Sequence, residues 1–223
     1  MTAPAAEWAP RHAAAHVRLP DADDDKYRRG VLGMRTGSEA YPGAAVLGVE
    51  AACRTGVGMV RYLGPSPARE LVLQRRPEVV AGDGRVQAWV IGSGIDAAAR
   101  TDAVTDGLRS CLAGEDPVVV DAGALDLAPT ASAPVVVTPH AREHDRLREL
   151  LGLPAVGSDA GREAAARETA RVLGATVLLK GAVTIVATPG GWCRRVAAGT
   201  PWLATAGTGD VLAGAIGALV ASA

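Results

Sequence analysis

The chain has 223 residues, enough for one large domain or two small ones. A net charge of −1 offers little to a nucleic acid or an acidic membrane surface, and no apolar run reaches the length of a bilayer span, so neither class of partner is expected. Aromatic residues make up only 3% and Phe is absent, so a core drawn from the 48% apolar residues must be Val, Leu, Ile and Ala, which suits strands buried between helices.

Residues 1–25, rich in Ala, Pro and Asp, read as an extended arm, and residues 26–223 as a single domain without internal repeats. Val31 to Met34 reads as a strand, Gly37 to Gly43 as a loop and Ala44 to Thr55 as a helix. Met59 to Leu63 is a second strand; Val79-Val80, a turn at Gly82-Asp83-Gly84 and Val86 to Ile91 suggest two more. A helix over Ala97 to Leu112 precedes strands at Val118 to Val120 and Val135 to Val137. Helices follow at Ala141 to Leu151 and Asp159 to Leu173, then strands at Val177 to Leu179 and Val183 to Ala187, with a hairpin turn at Gly190-Gly191. A last helix starts near Asp210. Alternation of apolar strands with helices predicts an α/β fold with a mostly parallel sheet covered on both faces. Ligands in such folds sit at the carboxyl ends of the strands, where Gly92, Asp121 and His140 fall.

Cys53, Cys111 and Cys193 are far apart and show no C-x-x-C spacing, which argues against structural zinc or a disulfide framework and for a reducing cytoplasm. The patterns G-x-x-x-x-G-K-[ST] and G-x-G-x-x-G are both broken, at Ala215 and Ala97 respectively. The most informative stretch is Gly207-Thr208-Gly209-Asp210, small residues that run straight into the last helix. Such a loop lets backbone N–H groups and the positive end of a helix dipole meet a phosphate. Asp210 beside that anion hole suits a general base that takes a proton from a hydroxyl while phosphate charge is neutralised next to it. A plain helix start with an acidic first turn is the alternative.

Other candidates carry similar pairs of readings. Lys180 is one of only two lysines against 21 arginines, and Lys180-Gly181-Ala182-Val183-Thr184 is either a turn or a short-residue stretch that phosphate or ribose can approach. Thr138-Pro139-His140 with Glu143 is either a helix cap or a way to place the His140 imidazole over a substrate. Gly37 to Ala45 is a connection or a second ligand wall.

Taken in order, Asp25 to Gly30, Tyr41-Pro42-Gly43-Ala44-Ala45, Gly92-Ser93-Gly94, Asp121-Ala122-Gly123-Ala124-Leu125, Thr138-Pro139-His140, Lys180 to Thr184 and Gly207 to Asp210 resemble the ADP-dependent NAD(P)H-hydrate dehydratases, over about residues 19 to 223. The resemblance implies a ribokinase-like three-layer α/β/α sandwich. It implies that Ala44, Gly94, His140 and Asp210 contact a hydrated NADH or NADPH. Lys180, Gly181, Ala182, Val183, Thr184 and Gly209 would hold the adenylate part of the donor, with Gly207, Thr208 and Gly209 as anion hole. It further implies ADP as phosphate donor, Mg2+, no protein-only metal site, and a homo-oligomer, a homotetramer in the family pattern.

Three departures stand out. Ser93 replaces the Pro of a Gly-Pro-Gly turn, Ala141-Arg142-Glu143 replaces Pro-Gly-Glu, and the sequence stops at Ala223 where the resemblance implies further helices. A ribokinase-like kinase of a small alcohol is one alternative, although the sugar kinases of that superfamily usually carry an Asn-containing motif and this chain has no Asn. A non-catalytic nucleotide-binding paralogue is the other.

Overall fold

A computed structural model describes residues 5–156, 161–197 and 199–223. In chain order these form β1 (Ala6–Glu7), α1 (Pro10–Ala14), β2 (Val31–Arg35), α2 (Pro42–Thr55), β3 (Met59–Tyr62) and α3 (Ser66–Arg75). Next come β4 (Ala88–Ile91), α4 (Asp102–Leu112), β5 (Val118–Val120), a run of 3-10 turns over Ala122–Thr130 and β6 (Val135–Val137). The chain continues through α5 (Ala141–Leu150), α6 (Arg162–Leu173), β7 (Thr176–Leu179), β8 (Thr184–Ala187), β9 (Cys193–Val196) and α7 (Thr208–Ala221). Two compact units result: a first of Met1–Val17 with Val136–Ala204, and a second of Arg18–Val135 with Thr205–Ala223.

The second unit is built on parallel strands in the order β5, β4, β2, β3. Val31, Leu32 and Met34 of β2 are fully buried, as expected for a strand covered on both faces, and each such side chain contributes about 1.5–3 kcal/mol. Alternation along β2 sorts its contacts. Leu32 and Met34 face α7 and α2, where they lie against Gly217 and Gly48. Gly33 and Arg35 face the other way: Gly33 makes room for the Trp89 ring, and the Arg35 guanidinium approaches Gly107 of α4. Helices therefore cover both faces, in three layers.

The direction of α7 follows from its two ends. Ser222, just past it, donates its hydroxyl to the Arg29 carbonyl at 2.9 Å, at the entry to β2. Gly207, just before it, packs on Leu47 of α2. The N-terminus of α7 thus points to the carboxyl ends of the strands, where α2 also begins.

In the first unit β6 and β7 are parallel, β8 is antiparallel to both β7 and β9, and β1 runs parallel to β9. Helix α6 packs on β7 and β8. Buried His144, Arg148 and Thr169 form a polar cluster here: His144 Nε2 and Arg148 Nη1 both lie 3.0 Å from the Thr169 hydroxyl.

Several elements differ from the sequence reading. The segment read as an extended arm contains β1 and α1; Trp8 stacks on His16 and meets Trp192 edge-on. Residues 1–4 lie outside the described residues, as does Asp159, the expected start of the helix that is described from Arg162. Val79-Val80 is not a strand but one isolated bridge, Val80 to Arg61. Helix α4 starts at Asp102 rather than Ala97, because the Thr101 hydroxyl caps it by accepting from the Val104 amide at 3.3 Å. Among the described residues no helix is long and apolar enough to cross a membrane.

Candidate active site

In the second unit the carboxyl ends of β2, β4 and β5 turn sharply and lock together. Gly92 and Gly94 have φ of +98° and +68°, so the turn after β4 uses the left-handed region twice. A Cβ on Gly94 would run into the Cβ of Ala44, in the first turn of α2. The structure thus brings together Ala44 and Gly94, two residues that the resemblance assigns to the substrate. Ser93 stands between the glycines and is 1% exposed; its hydroxyl donates to Asp121 Oδ2 at 2.9 Å. Asp121, 2% exposed, directly follows β5.

Gly207 caps α7 at φ +90°, a conformation that side-chain-bearing residues rarely adopt. The chain then enters the helix at once, with Thr208, Gly209 and Asp210 as its first turn and the Val211 amide bonded to the Gly207 carbonyl at 3.1 Å. Gly207 has no side chain with which to cap this end. The first-turn amides and the helix dipole are therefore aimed at the strand ends, an arrangement suited to an anion. The Thr208 hydroxyl donates back to the Thr205 carbonyl at 3.1 Å, which closes the loop before the helix. Asp210 is half-buried, and its carbonyl side packs toward Gly48 of α2, one helical turn beyond Ala44.

In the first unit His140 is the N-cap of α5, in a reciprocal capping box. The Glu143 amide donates to His140 Nδ1 at 3.3 Å, and Glu143 Oε2 accepts the His140 amide at 2.7 Å. Glu143 Oε1 also lies 3.3 Å from His140 Nε2, and its Oε2 lies 3.8 Å from Lys180 Nζ. One carboxylate therefore gathers the two cationic or potentially cationic residues singled out from the sequence. The capping reading of His140 holds, and its imidazole stays half-exposed.

Lys180 to Val183 is the tight turn between antiparallel β7 and β8, with Thr184 opening β8. The Lys180 amide donates to the Pro139 carbonyl at 2.8 Å, which holds the turn to the start of α5. Gly181 and Ala182 are exposed, and Lys180, Val183 and Thr184 are half-buried. Arg162, absent from the sequence reading, organises this turn: its Nη2 donates to the Lys180 carbonyl at 3.0 Å and its Nη1 to the Val183 carbonyl at 3.2 Å. Nothing in the sequence separates it from 20 other arginines.

The family model described as NAD(P)H-hydrate dehydratase matches residues 32–223. The bifunctional NAD(P)H-hydrate repair enzyme Nnr of Mycobacterium tuberculosis is 48% identical over 221 residues, covering 94% of this chain and 44% of that protein. The chain thus spans less than half the length of that relative. The ADP-dependent (S)-NAD(P)H-hydrate dehydratase of Bacillus subtilis is 31% identical over 94% of this chain and 79% of its own length. The crystal structure of the ADP/ATP-dependent NAD(P)H-hydrate dehydratase from Bacillus subtilis, co-crystallised with ATP and Mg2+, superposes with a TM-score of 0.84 at 28% identity, over 98% of this chain and 86% of that one. The fold is ribokinase-like, and the chain belongs to the NAD(P)H-hydrate dehydratase family.

Proposed function

We propose that this chain is an ADP-dependent (S)-NAD(P)H-hydrate dehydratase that returns hydrated NADH or NADPH to the intact cofactor. The observation that carries the reading is the glycine-capped start of α7, with Asp210 in its first turn, packed on α2 one turn from the Ala44–Gly94 wall. Hydroxide is a poor leaving group from C6 of the hydrated nicotinamide. Asp210 takes the proton of that hydroxyl, and the oxygen attacks the terminal phosphorus of ADP as AMP departs. Phosphate then leaves C6 with the bonding pair, driven by the ring nitrogen, and loss of a C5 proton restores the dihydropyridine. The amides at Gly207, Thr208 and Gly209 offset charge on the transferred group. His140, Ala44 and Gly94 hold the substrate, and Lys180 to Thr184 hold the adenylate, with Gly209 beside the phosphates.

Magnesium fits as an ion carried on the donor. Among the described residues no cluster of three or more His, Cys, Asp or Glu side chains is placed to hold a metal, and Mg2+ commonly binds through substrate phosphates and water. When bound it supplies charge neutralisation at the phosphates. A homotetramer working in the cytoplasm completes the reading.

The test is recovery of the dihydronicotinamide absorbance band from purified NADH hydrate with Mg2+ and either ADP or ATP. Recovery with ADP supports both reaction and donor. ADP binding without recovery favours a non-catalytic paralogue, and nucleotide consumption without recovery favours a small-alcohol kinase. Asp210→Asn should keep nucleotide binding while turnover falls by roughly a hundredfold or more, as for loss of a general base. An unchanged rate would remove Asp210 from that role.

A further inference from the structure

One residue fastens three strand-end turns of the second unit. The Ser93 carbonyl accepts the Gly37 amide at 2.7 Å, from the turn after β2. Its hydroxyl donates to Asp121 Oδ2 at 2.9 Å, from the end of β5. The neighbouring amides complete the fastening: Gly92 donates to the Arg35 carbonyl at 3.1 Å, and Asp121 to the Ile91 carbonyl at 3.0 Å. No room is left on either side, since a Cβ on Gly92 would strike the Asp121 carbonyl and one on Gly94 would strike Ala44. Directly after Asp121, Ala122 sits at φ +44°, the only non-glycine residue at positive φ among the described residues. A backbone in that region persists only where its surroundings over-determine it. The resemblance leads one to expect proline between the two glycines, a residue that stiffens a turn through its ring. Here the stiffness comes from a buried hydroxyl–carboxylate bond.

We propose that Ser93 is a positioning residue of the substrate wall: by holding Gly37 through its carbonyl and Asp121 through its hydroxyl, it fixes Gly94 against Ala44 where the hydrated nicotinamide is received. This rests on the dehydratase reading for the identity of the ligand. The bond lies within the wall assigned to the hydrate, so its loss acts on the hydrate and leaves ADP binding at the Lys180 turn unchanged.

Steady-state kinetics with NADH hydrate and ADP test this on Ser93→Ala, which deletes the hydroxyl and keeps the carbonyl, and on Ser93→Thr, which keeps both. For Ser93→Ala, KM for the hydrate should rise about tenfold, with kcat within about threefold and KM for ADP unchanged. Ser93→Thr should return the hydrate KM to within about twofold of wild type. Equal losses on both substrates, or an unchanged hydrate KM with a lowered Tm, would reduce the pair to a core fastening and overturn the proposal. If wild type restores no absorbance, the activity reading fails separately, and calorimetric titration of NADH hydrate decides the positioning role. Binding about tenfold weaker to Ser93→Ala supports it; equal binding, or none to either protein, overturns it.

Discussion

His144 and Glu143 are neighbours on α5 with opposite fates. Glu143 keeps enough exposure to serve as a hub for His140 and Lys180. His144 is 1% exposed and bonded to Thr169; burial first, then the positive charge of Arg148, push its pKa down to about 4, against a smaller opposing pull from Asp145. The folded protein therefore refuses a proton that the unfolded chain accepts near the ordinary histidine value of about 6.5. Stability from this residue is full above that value, falls as the pH drops toward 4, and is level again below it; the loss is roughly 3 kcal/mol. Urea denaturation of wild type and His144→Gln between pH 7 and 4 measures the difference, which should shrink by that amount. A constant difference would mean that His144 titrates normally. Legibility at this scale depends on separation along the chain. The His140–Glu143 cap was readable because its residues are three apart, whereas Lys180 reaches Glu143 only through the pairing of β6 with β7. Ser93 and Asp121 each stand out in the sequence, but their bond spans 28 positions and no local pattern announces it.

Helices α2 and α7 meet through small residues, and that contact sets where Asp210 stands. A Cβ on Gly214 would strike the Gly48 backbone, and atoms of the main chain cannot step aside as a flexible side chain could. Gly214→Ala should cost about 1–3 kcal/mol by overpacking, a fall in Tm of roughly 2–4 °C per kcal/mol for a chain of this size. Gly43, in the first turn of α2, has nothing within 4 Å of its Cβ position, so Gly43→Ala should be neutral or stabilising by up to about 1 kcal/mol. Thermal unfolding of the two variants compares them directly, and a reversed order would contradict the packing. Elements of this kind, mostly apolar along their length, were the ones the sequence made plain. Helix α3 was not, because only Ala68 and Val72 of its ten residues are buried, Leu71 is exposed, and half of its residues are polar or charged. It is held to α2 partly by charge: Glu50 accepts from Arg76 at 2.5 Å and Arg75 at 3.2 Å, as well as from Arg54 within α2 at 2.5 Å. Those hydrogen bonds, Arg76 first, hold the Glu50 carboxyl down to about 2. A hydrophobic period cannot reveal a helix tethered in this way.

Across the whole molecule, the residues assigned to ligands are divided between the two units. Ala44, Gly94 and Asp210 belong to the second, and His140 and Lys180 to Thr184 to the first. This division was invisible in the sequence, where the β–α alternation continues through both units without a linker to mark a boundary. The order of short motifs identified the family, but which unit each motif serves depends on long-range strand pairing. The ligand assignments fall on distinct segments and are separable by amide hydrogen exchange. ADP with Mg2+ should slow exchange in the 180–184 turn and at the start of α7, by about tenfold or more at saturation, while NADH hydrate alone should slow residues 37–45 and 92–94. Arg162 shapes the turn by donating to two of its carbonyls, so Arg162→Ala should lose the ADP footprint at 180–184 and keep the hydrate footprint at 92–94. Protection of 180–184 by the hydrate rather than ADP would exchange the two ligand assignments. A footprint that survives Arg162→Ala would show that the turn keeps its shape through the Lys180 amide and the flanking strands, leaving Arg162 no part in donor binding.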